Sequence, residues 1–359
     1  MHTYATHTDA SAEHTSTYSR ACTRTLVMPI SGARFCNQIG IVKHLLGCEY
    51  KMDRIMGTSG GAVTAMLLLM ADVASIVDKD TYIAFCCRLN TILMDIDSSW
   101  YMSHHVSWST VLNNIVGMSR GSLYGRGTGE MFVGALEGDI SKQPETWIGT
   151  FCRETAKPQL WCTKSRREAD IRVCGSIYMN NNIKLTTKVA MASCAVPTFV
   201  PPVAIGNRTY IDGGVGHASP LGQCMEAFEK GIASFHVVYI SPARYSSSLD
   251  PKTDELEDDD IPNLVKSSIA GMVTGIHIPD RNNGIRFVTN TGQYNKTVGI
   301  GRKALKAALD KEPSCNKSFI ELAPLQEIHL DFLGIRKGDV HKSVKKSYET
   351  GFSVRHWYC

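Results

Sequence analysis

Two short apolar runs, each followed by a small-residue turn and a helix-patterned stretch, constrain this chain more than any other feature. "TLVMPI" from Thr25 reads as a buried strand, "SGARFCNQ" as a turn, and "IGIVKHLLG" as a helix closing at Gly47. "MDRIM" is the next strand, Gly57-Thr58-Ser59-Gly60-Gly61 its turn, and an apolar helix follows from about Gly61 to Val77. Strand, turn and helix repeated in this order make a parallel sheet covered by helices. The length of 359 residues and the 43% hydrophobic content suffice for one large α/β domain with a full core.

The remainder is read more coarsely. Residues 1–24, rich in Thr, Ser and His and without period, are expected to be a flexible tail. From Asp80 to Trp161 the pattern is mostly helical, with breaks at "SRGSLYGRGTGE" and "SKQPETW". "IRVCGSIYM" and "FHVVYIS" suit further strands, and "VAIGNRTYIDGG" a hairpin turning near Gly206-Asn207 with Asp212 ending its second strand. The acidic stretch at about 249–260 is a surface loop; "IRFVTN" and "SFIELAPL" suit strands, and "DVHKSVKKSYETGF" an amphipathic last helix. No repeat or linker divides the chain, so one domain is expected over 25–352, with 353–359 as its C-terminal end.

Charge and cysteines exclude some classes. The net charge of +4 is small and the basic residues are dispersed, so a nucleic-acid reader is not indicated. Twelve cysteines without any C-x-x-C spacing form neither a zinc ribbon nor a disulfide framework and suit reduced thiols. His104-His105 lacks partner ligands at metal-binding spacing, and "GRGTG" at Gly125 falls short of a dinucleotide loop, so no metal and no cofactor are expected. The N-terminus has no apolar core of a signal peptide, and the stretch from Ala62 to Val77, interrupted by Asp72, is too short and mixed to span a bilayer. A soluble cytoplasmic protein, at most peripheral to membranes, is the expectation.

The turn at Ser59 is a G-x-S-x-G pentapeptide between strand and helix, where a nucleophile elbow lies. Gly57 and Gly61 remove side chains that would collide in so tight a turn, and the start of the following helix favours negative charge at the hydroxyl. A phosphate-binding or purely structural glycine turn fits the same five residues. A serine nucleophile also needs a base and an oxyanion hole. The turn "ISGARF" from Ile30 opens on the same sheet edge and supplies candidate N–H groups. Asp212, followed by Gly213 and Gly214, is the better-placed base, since His329 and His341 lie on segments where surface histidines are common; a plain Asp-Gly-Gly turn is the alternative. Cys194 reads as a small buried thiol, and His217 is at most a residue lining the site.

Together these pieces resemble the patatin-like phospholipase family. The resemblance rests on "ISGARFCNQIGIVKHL" for the glycine-rich loop and helix, "GTSGG" for the elbow and "DGG" at Asp212, with support from "GSLYG" at Gly121 and "AMASCAVPTFVPPV" at Ala190. It covers about Thr25 to Ile240 well and the last hundred residues loosely. It implies a three-layer α/β/α fold with a central, mainly parallel sheet. It also implies a Ser59–Asp212 dyad without histidine, an oxyanion hole around Ser31 and Gly32, and Arg34 supporting that loop or meeting phosphate. The implied substrate is a phospholipid or other lipid ester, met at a membrane or micelle surface.

The chain departs from the family where three consecutive glycines are usual: it has Ile30-Ser31-Gly32. Side chains fit there only if neither position needs a positive φ. This departure keeps two other readings open, a lipid-binding or scaffold protein without turnover and an acyltransferase. A triad esterase would require a histidine beside Ser59.

Overall fold

A computed structural model of the chain describes residues 23–97, 99, 102–103, 125–126, 140–165, 176–196, 200–215, 234–242, 316–326, 328, 330 and 335–358. The loop at 249–260, "GSLYG" but for Gly125, "IRFVTN", His104, His105, His217 and His329 lie outside these residues.

The first units fold as their patterns dictate. Strand β1 (Thr23–Met28) leads through a 3-10 turn (Gly32–Arg34) into helix α1 (Phe35–Gly47), and β2 (Arg54–Thr58) leads through Ser59 into α2 (Gly60–Met70). Every residue of "GGAVTAMLLLM" except Val63 is buried, as expected of a helix without charge on any side. α2 stops seven residues short of the sequence reading: Asp72 takes a left-handed φ of 59° and a 3-10 turn (Val73–Ser75) follows. Helix α3 (Lys79–Asp95) is opened by a capping box, in which Asp78 accepts from the Thr81 N–H at 2.9 Å and Thr81 Oγ1 accepts from the Asp78 N–H at 3.0 Å. It buries the single stripe Phe85, Leu89 and Leu93.

The strands that follow correct the sequence reading. After a two-stranded ribbon of β3 (Met102–Ser103) and β4 (Gly125–Arg126), the tract read as helical contains β5 (Glu145–Cys152) and β6 (Lys157–Cys162). β7 (Ile177–Tyr178) is short, helix α4 spans Ile183–Ser193, and β8 (Val203–Ile205) with β9 (Arg208–Asp212) forms the anticipated hairpin. β10 (Ser234–Ile240), β11 (Asn316–Pro324), helix α5 (Asp339–Thr350) and β12 (Phe352–Tyr358) complete the described elements. The residues read as a trailing end beyond 352 are therefore a strand, paired antiparallel with β11. Gly351, at φ 75°, ends α5 and turns the chain into it.

The sheet runs β12-β11-β10-β1-β2-β5-β6-β7, with β9 also on β5 and β8 on β9. From β11 to β5 the neighbours are parallel. Helices flank the sheet, which gives the mixed, mostly parallel three-layer α/β/α arrangement that the sequence implied. Buried Arg54, at the start of β2, locks its register against β5: its Nη2 donates to Glu145 Oε2 at 2.6 Å while its guanidinium lies over the Trp147 ring. Among the described residues no helix is long and apolar enough to cross a membrane.

Candidate active site

β1 leads on to β2 on one side and its neighbour β10 to β11 on the other, and turns beyond the ends of two such strands open a crevice. The loop Pro29–Gly32 follows β1 and the Ser59 turn follows β2, on that same edge. The register then brings the aspartate to them. Thr58 pairs with Gly149 on β5, and Asp212, coming the other way on β9, pairs with the next residue, Thr150. β6 occupies the opposite edge of β5, so β2 and β9 lie end to end along one strand and their last residues meet.

Ser59 Oγ donates to Asp212 Oδ2 at 2.7 Å, and both residues are buried. Asp212 Oδ1 accepts from the Gly214 N–H at 2.8 Å. Burial pushes the Asp212 carboxyl up to about 6, against the opposing pull of the bonds from Ser59 and Gly214. Ser59 sits at φ 55°, ψ −125°, a conformation that side chains rarely adopt and that aims its hydroxyl out of the turn. A serine hydroxyl bonded to a partly desolvated carboxylate can lose its proton to that carboxylate as it attacks an acyl carbon.

Two polar residues that the sequence reading did not select hold this turn. The Ser59 N–H donates to Ser193 Oγ at 2.8 Å, and the Ser193 hydroxyl donates to the Gly149 carbonyl at 2.6 Å, tying the elbow to the end of α4 and to β5. Gln38 of α1 donates from Nε2 to the Pro29 and Ile240 carbonyls at 3.0 and 3.3 Å, fixing the end of β1 beside that of β10. Neither residue carries a local signal of this role: Gln38 lies beside Asn37 in the stretch read as a turn, and Ser193 among small residues. The Cys194 thiol donates to the Ser59 carbonyl at 3.1 Å, and burial, then the nearby Asp212 charge, hold its pKa well above the ordinary thiol value.

The unusual loop fits without strain. Ser31 has φ −131° and Ile30 has no positive φ; only Gly32, at φ 50°, needs the freedom of glycine. Glycines opposite receive the two extra side chains: Ser31 Oγ fills the space where a Gly60 Cβ would begin, and the Ile30 Cδ1 does the same at Gly214. Gly213 is packed against the Gly149 carbonyl, and Gly57 against Gly61, where a Cβ would come to 2.5 Å from the carbonyl oxygen. Arg34 is buried and its backbone N–H donates to the Ser31 carbonyl at 2.9 Å, so it braces the loop. The Gly60 N–H, at the start of α2 directly after Ser59, is a further candidate donor that the sequence reading did not name.

The family model for Patatin-like phospholipase matches residues 172–225. Over this stretch, well under half of its length, the chain is similar to that family. The patatin-like segment carries Ser193, the β8–β9 hairpin and Asp212, while Ser59 and the Ile30–Arg34 loop fall before it. At this coarse level the match supports a lipid hydrolase. No curated protein matches the chain. A solved structure of VipD from Legionella pneumophila aligns with 93% of this chain and 68% of its own, at 8% identity and a TM-score of 0.34.

One residue of the Ser59 turn is testable by packing alone. A Cβ on Gly61 would overlap the Met28 carbonyl oxygen and come within 2.7 Å of the Pro29 oxygen, both backbone atoms that cannot swing away. Gly61→Ala is expected to destabilise the fold by about 3 kcal/mol, read as a lowered urea midpoint with an unchanged slope.

Proposed function

We propose that the chain is a serine acyl hydrolase of phospholipase A type, cleaving ester-linked fatty acids from phospholipid or another lipid ester at a membrane or micelle surface. The observation that carries this reading is the 2.7 Å bond from Ser59 Oγ to Asp212 Oδ2, made by a residue at positive φ in a strand-to-helix turn. Ser59 Oγ bonds to the acyl carbon as its proton passes to Asp212 Oδ2. The tetrahedral intermediate collapses, the ester C–O bond breaks, and the leaving alcohol takes that proton. A water then attacks the acyl-enzyme, giving its proton to Asp212, and Ser59 recovers it as the fatty acid leaves. The N–H groups of Gly60 and Gly32 are suited to hold the oxyanion, since the Gly32 nitrogen stands 3.0 Å from where a Gly60 Cβ would be.

Asp212 accepts a proton only when ionised. With its pKa pushed up to about 6 by burial, kcat/KM is expected to fall about tenfold per pH unit below that value, and a pH–rate profile of wild type checks this limb. A base with an ordinary carboxylate pKa would instead leave the rate flat down to about pH 4.

Fatty-acid release from mixed phospholipid vesicles tests the reading. Release by wild type that is lost in Ser59→Ala supports it. A folded wild type that binds vesicles and short-chain esters yet releases nothing would favour a lipid-binding protein instead. The main argument for that alternative, the side chains at Ile30 and Ser31, is weakened because both are accommodated at negative φ or against a glycine.

A further inference from the structure

We propose that the Ser31 hydroxyl is itself a catalytic donor, a third group on the oxyanion beside the Gly32 and Gly60 N–H groups. The inference rests on the acyl-hydrolase reading above. Ser31 is only 5% exposed, and its Oγ has no hydrogen-bond partner among the described residues. Its backbone is held by the 3-10 turn in which the Ser31 carbonyl accepts from the Arg34 N–H at 2.9 Å, and its Oγ rests against the Gly60 α-carbon, next to the Ser59 turn.

A buried hydroxyl without a partner is costly to the fold, and glycine or alanine at this position would avoid the cost. The cost is offset if the partner arrives with the substrate. The Ser31 hydroxyl is beside the peptide unit expected to face the oxyanion, and it has a proton to donate. As Ser59 Oγ bonds to the acyl carbon, the carbonyl electron pair moves onto oxygen and the Ser59 proton goes to Asp212. Ser31 keeps its own proton throughout and contributes a hydrogen bond that strengthens as the charge develops. The residue that breaks the usual glycine run thereby adds a donor to the hole.

Hydrolysis of p-nitrophenyl butyrate by wild type, Ser59→Ala, Ser31→Ala and Ser31→Cys, with thermal unfolding of each, decides the matter. Cysteine nearly keeps the volume of serine but donates weakly, so it guards against a packing defect in the alanine variant. Both Ser31 variants are expected to lose about 10²-fold in kcat with KM little changed, and Ser31→Ala to keep or raise the Tm because the unpartnered hydroxyl is gone. Ser59-dependent turnover with full kcat in Ser31→Ala would overturn this inference alone. A kcat loss matched by a raised KM and a lowered Tm would make the hydroxyl structural and overturn it too. Turnover equal in wild type and Ser59→Ala, or absent from both, would overturn the acyl-hydrolase reading and this inference with it.

Discussion

Ser59→Ala is expected to lower ester turnover by about 10⁴-fold or more while leaving the chain folded. The loss is large because, among the described residues, Ser59 carries the only hydroxyl that donates to Asp212. Cys194 donates its thiol hydrogen bond to the Ser59 carbonyl, and Ser193 Oγ is taken up between the Ser59 N–H and the Gly149 carbonyl. Folding survives because Ser59 Oγ is not what holds the elbow. The turn is held through backbone atoms, by the bond to Ser193 and by the Ala62 and Val63 N–H groups that donate to the Ser59 carbonyl at 2.8 and 3.1 Å. Alanine keeps those bonds and inherits the same strain at φ 55°. It removes one donor from Asp212, which costs at most about 2 kcal/mol because the carboxylate can take up a proton instead. Steady-state rates on a p-nitrophenyl ester, with urea unfolding of the same samples, check both halves. Undiminished turnover would move the chemistry to another nucleophile and sink the assignment.

Asp212→Asn is expected to lose about 10³-fold or more in turnover and yet to be more stable than wild type at neutral pH. Asparagine keeps an oxygen for the Gly214 N–H but cannot accept the Ser59 proton. The stability gain follows from linkage. Folding raises the Asp212 pKa from 3.8 to about 6, so the native state binds the proton more tightly than the unfolded chain does. Above pH 6 the buried carboxylate is charged in both states, and its burial costs about 2–3 kcal/mol that asparagine avoids. As pH falls through about 6 the folded wild type takes up the proton and the difference shrinks; below 3.8 both states are neutral there and it vanishes. Urea midpoints at about pH 8 and about pH 4 should therefore separate and then converge. An Asp212→Asn variant less stable than wild type at the higher pH would mean that the carboxylate is held by more favourable contacts than its two hydrogen bonds. A variant that gains stability as it loses rate would place Asp212 among residues that trade stability for chemistry.

Much of the site was legible because its parts are local. The apolar run before Ser59, the glycines around it and the uncharged helix after it all lie within about twenty residues, and each states its own conformation. The hairpin at Gly206-Asn207 likewise carried Asp212 to a strand end. β5 was not legible. "ETWIGTFC" is buried at nearly every position, so it lacks the alternation that marks a strand with one wet face, and its pattern merges into a helical tract. The end of α2 departs from the pattern for a similar reason: the apolar run continues past Met70, and only the left-handed turn at Asp72 stops the helix.

By itself the sequence determined the α/β class, the strained serine turn, the aspartate at the end of its hairpin and the resemblance that joined them, because each follows from residues close together in the chain. Only the tertiary structure decided that β2 and β9 meet end to end along β5, that Ser193 and Gln38 brace the turns, and that Gly60 and Gly214 make room for Ser31 and Ile30. Those decisions rest on strand register and on contacts between distant segments, where one residue of slip would turn every side chain to the other face, and no local pattern encodes them.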